Sequence, residues 1–325
     1  MPLDPPVAAI LESFNALPPL HFDGADPEVL REANRQMAAQ TPLSRPIEVG
    51  SVENTSVPGP AGDIPVRVYR PTAGQPVPTV VFFHGGGWLA GDLDTHDDVA
   101  RRLCRDVTAV VVSVHYRRVP ENPYPAPLDD CLAATRWVAD HIAEYGGRRD
   151  RLAVAGDSAG ANAAAVIALA FRDDNQPLTA QLLAYPPTDF LGDYPSITEN
   201  ADGYFLTKDL VTEIRRGYAG DDPEVRGSWR ISPLLAGDHT RLAPAVIGTA
   251  QYDPLRDEGR AYAEALEKAG VDVFYRNYDG LIHAYLNLFG VSPAADAAVG
   301  EMFAELARRL SGGFTSYQPV GNVRP

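Results

Sequence analysis

Arg151-Leu-Ala-Val-Ala-Gly156-Asp157-Ser158-Ala159-Gly160 is the stretch from which the fold can be read. A short apolar run stops at a glycine, presents one serine and resumes as an alanine-rich helical pattern. G-x-S-x-G between a strand and a helix reads as a nucleophile elbow, a sharp turn that lifts a serine Oγ out of the path of the backbone. The glycines on either side of Ser158 are needed because a side chain there would collide with the facing strand or helix. Alone the motif is weak, expected by chance in roughly one chain in ten of this length, so the rest of the chain must supply its context.

Working outward, apolar runs and helical patterns alternate. Strands are expected at Ile47–Glu53, Ile64–Tyr69, Thr79–Phe83, Ala109–His115, Leu152–Ala155, Ala180–Ala184, Ala245–Thr249 and Val271–Tyr278. The first two are read as a hairpin across the Pro58–Asp63 segment. Helices are expected near 95–106, 128–145, 159–172, 256–269 and 296–311. Continuous runs such as Val110-Val111-Val112 suit strands buried on both faces. The pattern predicts an α/β fold, a mostly parallel sheet with an antiparallel start. Two helices precede every strand, around Val7–Phe14 and after Asp26-Pro27-Glu28. About 60 residues separate the Ala180–Ala184 run from the Ala245–Thr249 run, far more than an ordinary loop. That insertion, with a helix expected over Lys208–Tyr218, and the N-terminal helices are expected to form a cap over the site. The tail after Gly312 has no periodicity and is expected to be loosely ordered.

Bulk properties narrow the function. The 325-residue chain is 45% hydrophobic and carries 43 acidic against 28 basic residues, a net charge of −15. That field opposes binding to phosphate backbones, so nucleic acid is not an expected partner. No apolar run approaches the length of a membrane span, and Met1-Pro2-Leu3-Asp4-Pro5 does not resemble a signal peptide, so a cytoplasmic protein is expected. Cys104 and Cys131 lack metal or redox spacing and read as reduced core residues.

Ser158 needs a base, and the base an orienting acid. After this elbow the chain order is serine, acid, histidine. His239 and His283 are the histidines downstream. His239 sits in a polar loop and is expected to face solvent, whereas His283 follows the last expected strand and can reach the carboxyl edge of the sheet. Asp253, just past the Ala245–Thr249 strand, is the expected acid. Asp257 is expected to cap the next helix, and Asp279 is a minor alternative. His84-Gly85-Gly86-Gly87-Trp88 directly follows the Thr79–Phe83 strand, and its glycines free backbone N–H groups to face a developing oxyanion. The Ala159 N–H, next to the nucleophile, is the expected complement. His84 is expected to support this loop and Trp88 to wall the pocket.

Together with Gly91-Asp92-Leu93, Tyr116-Arg-Arg-Val-Pro-Glu121, Gly203-Tyr-Phe-Leu-Thr207 and Asp253-Pro-Leu-Arg-Asp257, these segments resemble the hormone-sensitive-lipase-like carboxylesterases of the α/β-hydrolase superfamily over nearly the whole chain. The resemblance implies an eight-stranded α/β-hydrolase sheet with helices on both faces and a helical cap, and hydrolysis of small, short- to medium-chain esters without metal or other cofactor. It implies Ser158 as nucleophile, His283 as base, Asp253 as acid, and Gly86, Gly87 and Ala159 as oxyanion donors, with Gly85 in place of Gly87 left open. It divides the chain into cap helices (1–45), core (46–185), cap insertion (186–240), core (241–312) and tail (313–325). Trp88, Tyr185, Tyr204, Phe205 and Leu206 are the expected pocket residues. The expected partner is a small-molecule ester, with a homodimer allowed for. An amidase, thioesterase or acyltransferase on the same triad stays open, as does a non-catalytic receptor. Two positions depart from the family pattern: Ala161 stands where glycine is usual after the elbow, and Arg118-Val119 where Leu-Ala is usual.

Overall fold

The computed structural model describes residues 1–16, 22, 24–39, 43, 46–74, 76–176 and 178–312. The expected C-terminal tail lies outside them. The chain opens with α1 (Pro5–Asn15) and α2 (Pro27–Ala39). Asp26 starts the second helix by accepting the Glu28 N–H at 2.9 Å. Then follow β1 (Ser51–Gly59), β2 (Gly62–Arg70), β3 (Val77–Phe83), α3 (Asp97–Val107), β4 (Val110–Val114), α4 (Ala126–His141), β5 (Gly147–Asp157), α5 (Ala159–Asp173) and β6 (Ala180–Ala184). The insertion holds α6 (Pro195–Glu199), α7 (Lys208–Ala219) and α8 (Pro223–Arg226), and the chain returns through β7 (Ala245–Tyr252), α9 (Arg256–Lys268), β8 (Val273–Ile282) and α10 (Pro293–Leu310).

The strands form one eight-stranded sheet in the order β1-β2-β4-β3-β5-β6-β7-β8. β1/β2 and β2/β4 are antiparallel and the remaining pairs parallel, as the sequence pattern predicts. Every residue of β4 and β6 is buried, as a sheet covered on both faces requires. One face packs against α4, α5 and α9, with Val138, Ile167 and Leu266 in its core. The other packs against α3 and α10, with Leu103, Met302 and Phe303.

β1 departs from the expected Ile47–Glu53. The ladder with β2 runs from Ser51↔Arg70 to Gly59↔Gly62. Most β1 side chains are exposed, so its position is set by backbone pairing at the sheet edge and not by the apolar residues Ile47 and Val49 that precede it. β8 extends to Ile282, four residues past the expected end, and delivers the chain directly to His283.

The insertion is fastened to the core through charge. Arg215 on α7 donates from Nη2 to the buried Glu258 carboxylate on α9 at 2.5 Å, and Glu258 Oε1 accepts the Thr188 N–H at 2.9 Å. A small apolar cluster of Leu206, Val211 and Leu255 is flanked by Leu210 and by Ile214, which also packs against the core on the α4, α5 and α9 face.

Two consequences are testable. A Cβ on Gly160 would fall on the backbone carbonyls of Phe83 and His84, which cannot yield as a side chain could. Gly160→Ala is expected to cost about 3 kcal/mol; a wild-type urea midpoint would contradict this. Burial, outweighing Arg215 and the Thr188 N–H, raises the Glu258 pKa from 4.5 to about 7. A folded chain that holds the proton more tightly than the unfolded chain is most stable below the unfolded pKa, and loses this contribution as pH rises through about 7. The unfolding free energy of wild type relative to Glu258→Gln is therefore expected to fall by roughly 2–3 kcal/mol from weakly acid to weakly alkaline pH. A flat difference in denaturation series across that range would exclude it.

Candidate active site

Gly156 ends the pairing of β5 with β3, opposite Phe83, Asp157 ends its pairing with β6, opposite Ala184, and Ser158 follows at φ 51°, ψ −120°. This left-handed φ is strained for serine and survives only where the surroundings enforce it. They do so from both sides: the Ser158 N–H donates to the Ala184 carbonyl at 2.9 Å, and its carbonyl accepts the Asn162 N–H at 3.1 Å. The result is a hydroxyl standing at the carboxyl edge of the sheet on the first turn of α5.

His283, the residue after β8, reaches that hydroxyl: its Nε2 lies 2.9 Å from Ser158 Oγ. On the other side of the ring, Nδ1 lies 2.8 Å from Asp253 Oδ2. A carboxylate can only accept, so Nδ1 carries the proton and Nε2 is left as the acceptor for the serine O–H. Asp253 is fully buried and His283 is 5% exposed, which keeps water from competing for these contacts. Asp253 Oδ1 accepts the Leu255 N–H at 2.8 Å, and Asn200 from the insertion donates to the Asp253 carbonyl at 3.2 Å. The structure brings the three expected groups together, each directly after a strand end. What the sequence misses is this bracing from the insertion, because Asn200 lies in no motif.

The rival residues have other employment. Asp257 is not the helix cap expected of it: it lies inside the first turn of α9, whose N-cap is Leu255, its Oδ2 accepts the Ser196 N–H at 3.0 Å and its carboxylate pairs with Arg256 at 2.9 Å. His239 is half-buried and not solvent-facing: its Nε2–H donates to the Pro233 carbonyl at 2.9 Å. Asp279 is exposed on β8.

The glycine loop after β3 stands opposite Ser158. Gly86 and Gly87 have φ of 118° and 61°, and a Cβ on Gly86 would strike the Ala90 carbonyl. Their N–H groups have no acceptor among the described residues. The Ala159 N–H begins α5, where helix N–H groups lack intrahelical partners. Gly86, Gly87 and Ser158 line one cavity. The loop is tightly held. Gly85 N–H donates to Asp157 Oδ1 at 2.8 Å, and Tyr116 O–H donates to the His84 carbonyl at 2.6 Å. Arg118 donates to the Gly91 carbonyl at 2.8 Å, while Arg31 on α2 donates to the Leu89 carbonyl at 3.0 Å. Burial pushes the His84 pKa down to about 3, so the ring is neutral and supports the loop through its Nδ1–H, 2.9 Å from the Gly85 carbonyl. Arg118, one of the two departures from the usual pattern, therefore braces the loop. The other, Ala161, is completely buried in the core behind the elbow.

Ser158, His283, Gly86 and Gly87 open onto a cavity of about 590 Å³. Phe14 and Met37 from the N-terminal helices and Leu206, Val211 and Ile214 from the insertion contribute to its walls. Of the expected pocket residues, Trp88, Phe205 and Leu206 line it. Tyr185 and Tyr204 do not. Tyr185 is fully buried with its ring 4.7 Å from that of His283, packing the base from behind, and Tyr204 stacks on Tyr252 at 4.7 Å. Their apolar bulk is the same as that of true wall residues, so composition could not separate them. Among the described residues no group of three or more His, Cys, Asp or Glu side chains is arranged to hold a metal ion.

Comparison with known proteins agrees with this geometry. Residues 80–287 match the family described as alpha/beta hydrolase fold. The chain is 44% identical to carboxylesterase NlhH of Mycobacterium tuberculosis, over 95% of this chain and 96% of that protein. It is 31% identical to an arylesterase of Saccharolobus solfataricus, over 94% and 99%. Its structure superposes on that of a hyperthermophilic esterase from the archaeon Pyrobaculum calidifontis with a TM-score of 0.89, 37% identity and coverage of 94% and 98%. With the sheet, the elbow and these relatives in agreement, the chain belongs to the hormone-sensitive-lipase-like carboxylesterases of the α/β-hydrolase fold and hydrolyses carboxylic esters.

Proposed function

We propose that Ser158, His283 and Asp253 carry out this hydrolysis as a nucleophile, base and acid, and that the substrates are small esters with short- to medium-chain acyl groups. The observation that supports this reading is the unbroken chain from Ser158 Oγ to His283 Nε2 at 2.9 Å and from His283 Nδ1 to Asp253 Oδ2 at 2.8 Å. Ser158 Oγ attacks the ester carbonyl carbon while His283 takes its proton. The carbonyl oxygen becomes an oxyanion stabilised by the N–H groups of Gly86, Gly87 and Ala159. As the tetrahedral intermediate collapses, the C–O bond to the alcohol breaks and His283 returns the proton to the departing oxygen. Water, deprotonated by His283, then attacks the acyl-enzyme and releases the acid. Asp253 stays ionised throughout and holds the imidazole in the required tautomer.

The N-terminal helices (1–45) and the insertion (186–240) act as a cap over the core segments 46–185 and 241–312. A 590 Å³ cavity walled by both favours small substrates. No helix among the described residues is long and apolar enough to cross a membrane.

Ser158→Ala is expected to abolish turnover of p-nitrophenyl butyrate without altering the circular dichroism spectrum; kcat near the wild-type value would remove Ser158 from the mechanism. Asp253→Asn is expected to lower kcat by about 10⁴ through the wrong imidazole tautomer, and a loss below tenfold would assign the acid elsewhere. Matched ester, amide and thioester substrates test the reaction class. Enlarging the pocket by Phe205→Ala is expected to shift preference toward longer acyl chains, and an unchanged chain-length profile would take Phe205 out of the acyl site.

A further inference from the structure

A second carboxylate lies beside the proposed oxyanion donors. Asp157 precedes Ser158, is 2% exposed, and accepts the Gly85 N–H on Oδ1 at 2.8 Å. Tyr185 O–H donates to its other oxygen at 3.3 Å. This bond anchors the glycine loop to the elbow. It also buries a negative charge next to the place where the reaction develops another, and such a charge opposes the transition state unless it is cancelled.

His96 is placed to cancel it. The residue precedes α3, is 5% exposed and lines the substrate cavity. Its Nε2 lies 3.3 Å from Asp157 Oδ1, an ion-pair contact off the line of a good hydrogen bond, and has no other partner among the described residues. Its Nδ1 lies 3.0 Å from Thr95 Oγ1. That hydroxyl accepts the Asp92 N–H at 2.9 Å and donates its own proton to the Asp92 carbonyl at 3.0 Å, so it can only accept from the imidazole. Both ring nitrogens therefore face acceptors, a setting that fits the doubly protonated ring. The other charged or titratable groups nearby are otherwise engaged: the Asp92 carboxylate is held by Arg35 at 2.9 Å, and the His84 ring, 5.6 Å away, is neutral. Burial works to raise the Asp157 pKa, but His96 and the Gly85 N–H together hold it below the usual carboxylate range.

We propose that His96 is a positioning residue that carries the cation neutralising Asp157, so that the glycine loop is anchored by a carboxylate without a net negative charge facing the oxyanion. The inference rests on the esterase reading of Ser158. Its test is a double-mutant cycle on p-nitrophenyl butyrate with wild type, His96→Gln, Asp157→Asn and the double variant. Asparagine at 157 still accepts the Gly85 N–H but carries no charge. His96→Gln is expected to lower kcat about tenfold or more with KM changed less than about threefold. In the Asp157→Asn background the same change is expected to cost less than about threefold. Equal losses in both backgrounds, or no loss in either, overturn the pairing. A second readout stands apart from whether the variants fold: in 15N-histidine-labelled wild type, the ring with through-space contacts to Thr95 is expected to be protonated on both nitrogens near neutral pH, and a singly protonated ring overturns the proposal. An inactive Ser158→Ala with an uncoupled cycle removes the pairing alone, whereas turnover surviving in Ser158→Ala removes the esterase reading and the role of His96 with it.

Discussion

A serine held at φ 51° needs a clamp on each side, and much of the surrounding architecture is that clamp. On one side β5 is pinned between β3 and β6. On the other, α5 comes so close to β3 at Gly160 that no Cβ fits between the helix and the Phe83 carbonyl. The strain of the turn is offset by burial of the alanine-rich face of α5 in the core. The glycine loop leaves β3 at the same point and is tied to the elbow through Asp157. Ser158 and the glycine loop are therefore placed by one joint.

The histidine and its acid come from the far end of the sheet and need a different constraint. β7 and β8 pair in parallel up to Ala250 opposite Tyr278, and an irregularity after that pair brings Tyr252 opposite Ile282, so the residues that follow, Asp253 and His283, emerge side by side. Parallel pairing thus does for the acid and base what the elbow does for the serine. The insertion adds hydrogen bonds from Asn200 and Ser196 to the loop that carries Asp253. Closing the pocket and bracing the acid are two tasks of the same segment.

Those parts of the site that depend on local chain geometry were legible in the sequence. G-x-S-x-G and the three glycines after His84 announce backbone conformations that other residues resist, and the polar residues following apolar runs mark the carboxyl edge where Asp253 and His283 lie. Long-range side-chain contacts were not legible. Tyr185 and Tyr204 carry the aromatic bulk of pocket residues, yet one packs behind His283 and the other on Tyr252. Asp257 is expected from the sequence to cap α9, but it falls inside the first turn of that helix and the turn before it is held by Asp253. β1 follows the hydrogen-bond register of its hairpin, to which its mainly solvent-facing side chains contribute little pattern. In each case the deciding partner is remote in sequence or is the backbone itself.

The small cluster of Leu206, Val211 and Leu255 is distinct from the cores that stabilise the sheet; Leu210 packs beside it, and Ile214 packs against both it and one of those cores. Four of these five residues come from the insertion, and all five line the cavity. A change of volume among them alters the cavity wall, whereas the same change under β3 or β5 would disturb the joint that holds Ser158. On the proposed mechanism, the roof can then vary in what it admits while the chemistry stays fixed in the floor.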